Sequence, residues 1–263
     1  MNFQFISHEI KNSVAVITLN RPDVLNSFHR EMAKELHSAI KECAVEAMVR
    51  AVLLTGAGRA FCAGQDLAAV LPKEGDPPPR LGEIVKDCYN PIILALRRLE
   101  KPVVCAVNGV AAGAGANLAL ACDLVFASQS ASFVQSFSKI GLIPDSGGTF
   151  FLPRLIGLPR ATALMMLGEK VSAEEAHKIG MIYKVCAPES LLEESFSTAA
   201  FLATQPTMGL GLIKRALNAS LHQDLETQLR TEAQLQDDAG RTNDYNEGVQ
   251  AFIEKRKPIF RGA

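Results

Sequence analysis

The sequence predicts a mixed α/β fold in which most strands are parallel. Short apolar, β-branched runs occupy residues 13–19 (SVAVITL), 50–55 (RAVLLT) and 102–107 (PVVCAV), and each ends close to Asn, Gly or Pro, as strands do. Residues 28–46, between the first two runs, carry apolar side chains at helical spacing. The side chains that set this spacing are Met32, Leu36, Ile40 and Cys43. Strands that alternate with helices favour a parallel sheet covered by helices.

Length and composition are consistent with one large domain or one domain with a smaller appendage. The chain has 263 residues, of which 48% are hydrophobic, so it can bury a sizeable core. We expect an α/β core over residues 1–195 and a helical region over residues 196–263. The formal net charge is −1, which provides no overall basic field for nucleic acid or anionic lipid.

The six cysteines are predicted to be buried free thiols. No two of them form a C-x-x-C pair, and most lie among apolar residues, as Cys105 does in VVCAV. Such thiols are typical of a reducing compartment rather than of disulfides or zinc sites. The segment MNFQFISHEIKN has no charged leader before a long apolar run, and no stretch is long enough to span a membrane. We therefore expect a soluble, cytoplasmic protein without a membrane partner.

Further elements follow in chain order. Residues 81–99 and 113–122 are predicted helices, and residues 124–127 are a predicted strand. Residues 71–80, which contain three consecutive prolines, predict a mobile loop. Beyond about residue 150 the chain is predicted to be mostly helical. Helix starts are expected at the capping-box pattern Ser172-Ala173-Glu174-Glu175, at Pro188-Glu189, at Pro206 and at Thr242-Asn243-Asp244.

Common cofactor and metal motifs are absent from the sequence. Gly113-Ala114-Gly115 lacks the third glycine of a dinucleotide-binding motif, and no P-loop, zincin or nucleophile-elbow motif occurs. The histidines are far apart, and none lies between residues 38 and 176. We therefore expect no metal site, no Ser/His/Asp triad and no separate cofactor.

Residues 55–67 (TGAGRAFCAGQDL) follow a predicted strand and carry three glycines among small residues. A backbone that approaches a ligand closely needs small side chains, which favours a binding segment. Glycine-rich loops are also common on protein surfaces, so an ordinary surface loop explains the same residues. The residues alone leave both interpretations open.

Residues 108–123 (NGVAAGAGANLALACD) combine the end of a strand with the start of a helix of small residues. Free N–H groups at a helix N-terminus favour an anion there. Tight packing of a helix against a sheet needs the same small residues. The two interpretations are compatible.

Asp145 lies in a Pro-Asp-Ser-Gly-Gly turn with apolar residues on both sides. An aspartate in such a turn commonly serves as a helix N-cap or a turn residue. Alternatively, a carboxylate in an apolar pocket acquires a raised pKa, which suits a general base.

Together and in this order, the segments resemble the crotonase (enoyl-CoA hydratase/isomerase) superfamily. The resemblance begins at ITLNRPDVLNSF (residues 17–28), continues through AFCAGQDL, KPVVCAVNGVAAGAGANLALACD and IGLIPDSGGT, and ends at FIEKRKPIF (residues 252–260). It implies a crotonase-like spiral of ββα units with a C-terminal helical oligomerisation region, assembled as a homotrimer or homohexamer. It also implies an acyl-CoA thioester substrate, with coenzyme A present only as part of that substrate.

In this superfamily two backbone N–H groups bind the thioester oxygen, and the resemblance assigns them to Gln65 and Ala114. Ala114 stands where hydratases usually have glycine, and alanine still offers its N–H. Losing one such donor typically costs about 3–4 kcal/mol of transition-state stabilisation. The resemblance assigns further contacts with coenzyme A or the acyl group to Val24, Leu25, Ala63, Gln65, Asp66, Leu67, Gly113, Phe137 and Phe260, the last contributed by a neighbouring subunit.

The departures from the superfamily pattern concern the acid–base residues. Hydratases of this superfamily carry two glutamates that activate water, and the matching positions here are Asn117 and Phe137. Neither side chain can take a proton from water, so the resemblance implies no standard hydratase mechanism. An acidic residue at the position of Asp145 is shared with dienoyl-CoA isomerases and aryl-CoA dehalogenases. The dehalogenases also need a histidine base, which the gap between residues 38 and 176 excludes.

The resemblance therefore implies an acyl-CoA isomerase in which Asp145 moves a proton while backbone donors hold an enolate. Asn117 then either hydrogen-bonds the substrate, orients Asp145, or is a helix residue satisfied by neighbouring backbone. The segments YNP (residues 89–91) and ATQPTMGLGLIK (residues 203–214) extend the resemblance to isomerases that convert 1,2-epoxyphenylacetyl-CoA to its oxepin. Relatives of these isomerases shift a 3-enoyl-CoA double bond to position 2. Weak hydratase activity and a non-catalytic acyl-CoA- or RNA-binding role are the alternatives.

Overall fold

Two β-sheets form the centre of the computed structural model, which describes residues 3–71, 77 and 79–263. The strands of the described residues are β1 (Ile6–Lys11), β2 (Val14–Leu19), β3 (Ala51–Gly56), β4 (Ala60–Cys62), β5 (Val103–Val107), β6 (Val110–Ala112), β7 (Leu124–Ser128), β8 (Ser132–Val134), β9 (Lys170–Ser172) and β10 (Lys184–Cys186). The larger sheet has the order β1-β2-β3-β5-β7-β10, and the smaller has the order β4-β6-β8-β9.

The chain winds between the two sheets as a spiral. Strands β3 and β4 follow each other in sequence, yet β3 lies in the larger sheet and β4 in the smaller; β5 and β6, and then β7 and β8, repeat this division. Pairing is parallel from β2 through β10 in the larger sheet and from β4 to β8 in the smaller. Each turn therefore adds one strand to each sheet, which confirms the predicted α/β spiral of ββα units.

Helices connect the turns of the spiral and make up most of the C-terminal part. In the described part of the chain they are α1 (Arg30–Val45), α2 (Leu81–Ile84), α3 (Asn90–Arg98), α4 (Ala114–Leu120), α5 (Gly148–Ile156), α6 (Leu158–Leu167), α7 (Ala173–Lys178), α8 (Leu191–Ala203), α9 (Thr207–Ser220), α10 (Leu225–Gly240) and α11 (Asn243–Ile253). A π-helical turn over Val85–Tyr89 joins α2 to α3.

Helix α1 shows how the apolar spacing produces the core. The four residues that set its predicted period are all buried, and they pack into the cluster that contains strands β2 and β3. At the start of the helix, His29 Nδ1 accepts a hydrogen bond of 3.1 Å from the backbone N–H of Met32. The predicted helix start at Ser172 is confirmed for α7, where Ser172 is the N-cap and its Oγ accepts from the N–H of Glu175 at 3.1 Å.

Several elements differ from the sequence prediction. Strand β1 was not predicted, and it pairs antiparallel with β2. The three-residue strands β4, β6, β8, β9 and β10 were also missed, because a run this short carries no readable periodicity. The predicted loop at residues 71–80 lies largely outside the described residues. All six cysteines are buried and unpaired, as predicted.

The C-terminal helices expose an unusual amount of apolar surface. Large apolar side chains that are more than two-fifths exposed include Leu225, Leu229, Val249, Phe252 and Ile253. Contiguous exposed apolar surface commonly marks an interaction site. The oligomerisation role of residues 196–263 and the domain boundary stay predictions; α8 crosses that boundary and packs on β2, β3, β5 and β7. None of the described helices is long and apolar enough to cross a membrane.

Candidate active site

The first half of the site is the turn that follows β4. Gly64 has φ +94°, and a Cβ there would lie 2.9 Å from the carbonyl oxygen of Ala112. On the other side, Phe28 donates its N–H to Gly64 O at 2.7 Å and accepts from Asp66 N–H at 2.8 Å. The N–H of Gln65 lies between these two bonds and donates no hydrogen bond within the described part of the chain.

The second half of the predicted oxygen-binding pair is the turn that precedes α4. Gly113 has φ +52° and donates its N–H to Val134 O at 2.8 Å, which ties the turn to β8. Ala114 is the first residue of α4, so its N–H has no intrahelical acceptor. The Ala114 nitrogen lies 3.6 Å from the position that a Cβ on Gly64 would occupy. The fold therefore brings the two predicted donors, Gln65 and Ala114, close together.

The predicted coenzyme A segments meet beside this pair. Ala63 N–H donates to Leu25 O at 3.0 Å, which joins the loop after β2 to the turn after β4. Val24 and Leu67 are 41% and 50% exposed, so this edge of the site faces solvent. The two predicted segments, with Val24 and Leu25 in one and Ala63, Gln65, Asp66 and Leu67 in the other, therefore lie side by side.

Sequence reasoning missed two residues that hold this surface together. Asn26 is fully buried at φ +56°; its Nδ2 donates to Ala57 O at 2.9 Å and to Ala60 O at 2.8 Å. Arg21 forms an ion pair with Asp66 at 3.0 Å. A polar residue in an N-R-P-x-x-x-N stretch, directly after a strand, is the signal that could have identified them.

Asp145 does not cap a helix. The N-cap of α5 is Gly147, and no side chain there accepts a capping hydrogen bond. Asp145 Oδ1 instead accepts from Ser146 Oγ at 2.9 Å. Burial raises the pKa of the Asp145 carboxyl, and the hydrogen bond from Ser146 opposes that rise. The carboxylate is therefore free of the N-cap role that such a turn commonly assigns, and its pKa is raised in the direction that suits a general base.

Asn117 is completely buried and already committed to two hydrogen bonds. Its Nδ2 donates to the backbone carbonyl of Asp145 at 2.8 Å, and its Oδ1 accepts from Gln135 Nε2 at 2.7 Å. These two bonds fit both an Asn117 that orients Asp145 and an Asn117 that is satisfied by neighbouring backbone, so its role stays a prediction. The contact is with the backbone of Asp145 rather than with its carboxylate.

Phe137 fills the space beside the Gly113 turn. It is 7% exposed, and its ring lies 3.6 Å from the position of a Cβ on Gly113. An apolar ring thus borders the second predicted donor. Phe260 lies elsewhere, beside Gly248 of α11, where it lines a cavity of about 420 Å³. Its predicted contribution from a neighbouring subunit stays a prediction.

Tyr89 is a third residue that sequence reasoning did not assign to the site. It ends the π-helical turn, is 4% exposed, and packs edge-to-face on Phe28 with a centroid distance of 6.0 Å. Burial raises the pKa of the Tyr89 phenol, and the charge of Asp145 raises it further. Single π-turns are frequent at functional sites, but they have no clear sequence signature.

The described residues contain no group of three or more His, Cys, Asp or Glu side chains placed to hold a metal ion. What the site does combine is a pair of adjacent unpaired N–H groups, a half-buried carboxylate and a buried aromatic ring. Two N–H groups that converge on one point can stabilise negative charge on an oxygen, and a carboxylate can move a proton.

Comparisons with known proteins agree on one family. Residues 9–263 match the family described as enoyl-CoA hydratase/isomerase. The chain is 51% identical over 259 residues to the 1,2-epoxyphenylacetyl-CoA isomerase of Escherichia coli K12, covering 98% of this chain and 99% of that protein. It is 45% identical over 262 residues to a protein of Rhodobacter capsulatus named as a probable enoyl-CoA hydratase, covering all of both chains.

A solved structure is similar over the same length. An enoyl-CoA hydratase from Bacillus anthracis superposes with a TM-score of 0.93 and 36% sequence identity, covering 99% of this chain and 100% of that chain. The similarity therefore extends over both sheets and the C-terminal helices.

Proposed function

This chain belongs to the enoyl-CoA hydratase/isomerase family, and we propose that it is an isomerase of acyl-CoA thioesters. The proposed reaction moves a proton between two carbons of the acyl group while the thioester oxygen carries the negative charge. Asp145 is the proposed acid–base residue. One observation carries the proposal. The Asp145 carboxylate does not cap a helix, whereas Asn117 and Phe137 offer no carboxylate at the two hydratase positions.

The N–H groups of Gln65 and Ala114 are the proposed oxyanion hole. Both are unpaired in the described part of the chain, and the positive φ of Gly64 brings the first turn against the second. Donors that are fixed before the substrate arrives need no reorganisation when charge develops on the oxygen. Removing one such donor typically lowers kcat by about 10²–10³-fold.

The proposed reaction needs one base that acts twice. Asp145 takes a proton from the carbon next to the thioester, and the electrons of that C–H bond move to the thioester oxygen. The same proton then returns to a carbon further along the conjugated chain, and Asp145 is ionised again. A 3-enoyl-CoA becomes a 2-enoyl-CoA in this way, with no atom gained or lost.

The name of the Escherichia coli relative supports a ring epoxide as the substrate. In 1,2-epoxyphenylacetyl-CoA the carbon next to the thioester carries protons, and the ring supplies the distant carbon that receives one. Opening of the bond between the two epoxide carbons enlarges the ring to the seven-membered oxepin. The same proton shuttle then moves one proton from the carbon next to the thioester to a ring carbon, which gives the oxepin isomer with no atom gained or lost. We propose this conversion, together with double-bond migration in 3-enoyl-CoA, as the activity of the chain.

Hydration of 2-enoyl-CoA is the second candidate, because relatives such as the Rhodobacter capsulatus protein carry hydratase names. Hydration needs groups that deprotonate water and protonate carbon. Here Asn117 is held by Gln135 and the Asp145 backbone, and Phe137 presents only a ring. These contacts favour isomerisation over hydration.

The proposed partners follow from the same assignments. Coenzyme A is bound as part of the substrate along the surface of Val24, Leu25, Ala63, Asp66 and Leu67, and no separate cofactor takes part. The exposed apolar side chains of α10 and α11 support assembly as a homotrimer or homohexamer. Phe260 of a neighbouring subunit would then complete the coenzyme A site.

Substitution of Asp145 by Asn tests the proposal. The variant keeps the shape of the side chain but cannot carry a proton, so we expect kcat for 3-enoyl-CoA isomerisation to fall by about 10²–10⁴-fold. The dissociation constant for a non-reactive acyl-CoA is expected to stay within a few-fold of the original. Turnover of epoxyphenylacetyl-CoA, followed by chromatographic separation of the isomeric product, measures the same step.

A matched control is Asp237→Asn, which removes an exposed carboxylate on α10. We expect it to leave both activities unchanged. Isomerisation at the original rate in the Asp145→Asn variant would contradict the proposal. Rapid loss of the conjugated thioester absorbance with 2-enoyl-CoA, at a rate exceeding isomerisation, would instead favour the hydratase.

A further inference from the structure

A buried chain of two side-chain amides runs from the end of β8 to the Asp145 turn. Gln135, which directly follows β8, is 2% exposed, and Asn117 is fully buried. Gln135 Nε2 donates to Asn117 Oδ1 at 2.7 Å, and Asn117 Nδ2 donates to the backbone carbonyl of Asp145 at 2.8 Å. Three residues far apart in sequence are thereby joined behind the proposed base.

The direction of this chain is fixed by its last member. A backbone carbonyl can only accept, so the atom of Asn117 that faces Asp145 must be Nδ2. Asn117 then turns Oδ1 towards Gln135, and the atom of Gln135 that meets it must be Nε2. Exchanging oxygen and nitrogen in either amide would place two acceptors or two donors in contact.

This orientation leaves Gln135 Oε1 buried without a hydrogen-bond partner among the described residues. A buried acceptor without a partner destabilises the folded protein. An apolar side chain at this position would instead leave the buried Asn117 Oδ1 unpaired, so glutamine leaves as many buried acceptors unpaired as an apolar residue would, and packing alone does not account for it. Departures of this kind from packing rules are expected where a side chain serves a functional site.

The turn that accepts the hydrogen bond from Asn117 has an unusual backbone conformation. Ser146 has φ +50°, which is unusual for a residue with a side chain, and Gly147 follows at φ +75°. The Asp145 carbonyl accepts from Gly148 N–H at 2.8 Å as well as from Asn117. A Cβ on Gly148 would collide with the Asn117 amide, so α5 begins in direct contact with the amide chain. The carbonyl of Asp145 is thus held from two sides.

We propose that Gln135 is a positioning residue for the reaction: through Asn117 it holds the Asp145 backbone, and with it the carboxylate, where a proton is transferred. The inference rests on the proposed function, because it assumes that Asp145 is the base. Asn117 is the middle member of the same chain of hydrogen-bonded groups and is proposed to act in the same way. Gln135 touches neither carboxylate oxygen of Asp145 in the described structure, so its effect passes through the backbone of the turn.

Substitution of Gln135 by Met tests the inference, because Met has a similar length and no N–H donor. We expect kcat for isomerisation to fall by about ten- to a hundred-fold, since small displacements of a catalytic group have effects of this size. The dissociation constant for a non-reactive acyl-CoA is expected to change less than about three-fold, because the contacts that hold the oxyanion turns are backbone hydrogen bonds, such as Gly113 N–H to Val134 O, which the substitution leaves in place. If the Met variant fails to fold, Gln135→Leu provides the same comparison.

Two further measurements separate positioning from a general structural role. The double variant Gln135→Met, Asn117→Leu is expected to lose no more activity than Asn117→Leu alone, because both changes interrupt the same chain of hydrogen-bonded amides. In an Asp145→Asn background, Gln135→Met is expected to have no further effect on the residual rate. The control Ser132→Ala, which changes an equally buried and unpartnered hydroxyl on β8, is expected to leave kcat unchanged.

The outcomes distinguish this inference from the proposed function. If Asp145→Asn abolishes isomerisation and Gln135→Met leaves kcat unchanged, the positioning role is wrong and the proposed base stands. Additive losses in the double variant would also overturn it. If Asp145→Asn leaves the rate unchanged, the proposed function itself fails, whatever the Gln135 variant does.

Discussion

The two sides of the proposed site use different chemical groups, backbone N–H groups on one side and a side-chain carboxylate on the other. On one side, the turns at Gly64 and Gly113 present backbone N–H groups, and their geometry depends on positive φ angles and close backbone contact. On the other side, Asp145 presents a side chain, and its position depends on the amides of Asn117 and Gln135. The first side is made by the main chain, and the second by side chains.

This difference explains how one scaffold can support different reactions. A donor that belongs to the backbone survives any side-chain change that leaves φ and ψ unchanged, as alanine at position 114 illustrates. An acid–base group exists only where a titratable side chain is present. In the proposed assignment, Asn117 and Phe137 stand where hydratases have carboxylates, so the proton chemistry differs while the proposed oxygen-binding turns are retained.

Gly64→Ala is expected to have the largest effect on the backbone side. At φ +94° an added Cβ is strained and would lie 2.9 Å from Ala112 O, so the turn must move and the Gln65 N–H moves with it. We expect kcat to fall by about 10²–10³-fold, the usual effect of losing one oxyanion donor. Steady-state kinetics with 3-enoyl-CoA provide the measurement.

Gly82→Ala is the matched control for this substitution. No atom of the described residues lies within 4 Å of a Cβ on Gly82, and its backbone is helical. We expect unchanged kcat there. Comparable losses in both variants would show that the Gly64 turn is not special.

Ser146→Ala is expected to have an intermediate effect, and it acts on the side of the site formed by the Asp145 side chain. The Ser146 hydroxyl partly offsets the burial that raises the pKa of Asp145, so its removal raises that pKa further. The proposed base must be ionised to accept a proton. The acidic limb of the pH–rate profile should therefore move to higher pH.

The pH–rate profiles of the original protein and the variant test this directly. Ser138→Ala, at an exposed position on the neighbouring turn, serves as the control and is expected to leave the profile in place. A shift of the acidic limb to lower pH after Ser146→Ala would contradict the assignment of Asp145 as the base.

Ala114→Gly is expected to have the smallest effect, and it tests the backbone side most specifically. The N–H is retained, so we expect kcat to stay within about two-fold. Glycine in a helix costs about 0.5–1 kcal/mol relative to alanine. In a chain of this size the melting temperature is therefore expected to fall by about 1–3 °C. A ten-fold loss of kcat at unchanged melting temperature would show that the Ala114 methyl group takes part.

Much of the fold was accessible from local patterns. The apolar period of α1 and the β-branched runs of β2, β3 and β5 were predicted, because burial on one face or on both faces leaves a repeating signature. Strands β4, β6 and β8 were missed because three residues cannot show a period. Strand β1 was missed because it lies at the sheet edge, where most of its side chains are solvent-exposed or half-buried.

The candidate site divides in the same way. Gln65, Ala114 and Asp145 were identified through a resemblance carried by short motifs, and the structure places the first two side by side. Asn26, Tyr89 and Gln135 were not identified. Each depends on partners far along the chain, as Asn26 depends on Ala57 and Ala60. No local pattern encodes such distances.

The sequence by itself determined the α/β alternation, the buried thiols and the glycine turns. It also determined that Asn and Phe, not carboxylates, stand at the two positions that the resemblance matches to the hydratase glutamates. These are local properties, set by side-chain size, polarity and φ preference. Only the tertiary structure decided that Asp145 does not cap α5, that Asn117 holds its carbonyl and that Gln135 completes the chain. Hydrogen bonds between residues 18 and 28 positions apart exist only once the spiral has brought β8, α4 and the Asp145 turn together.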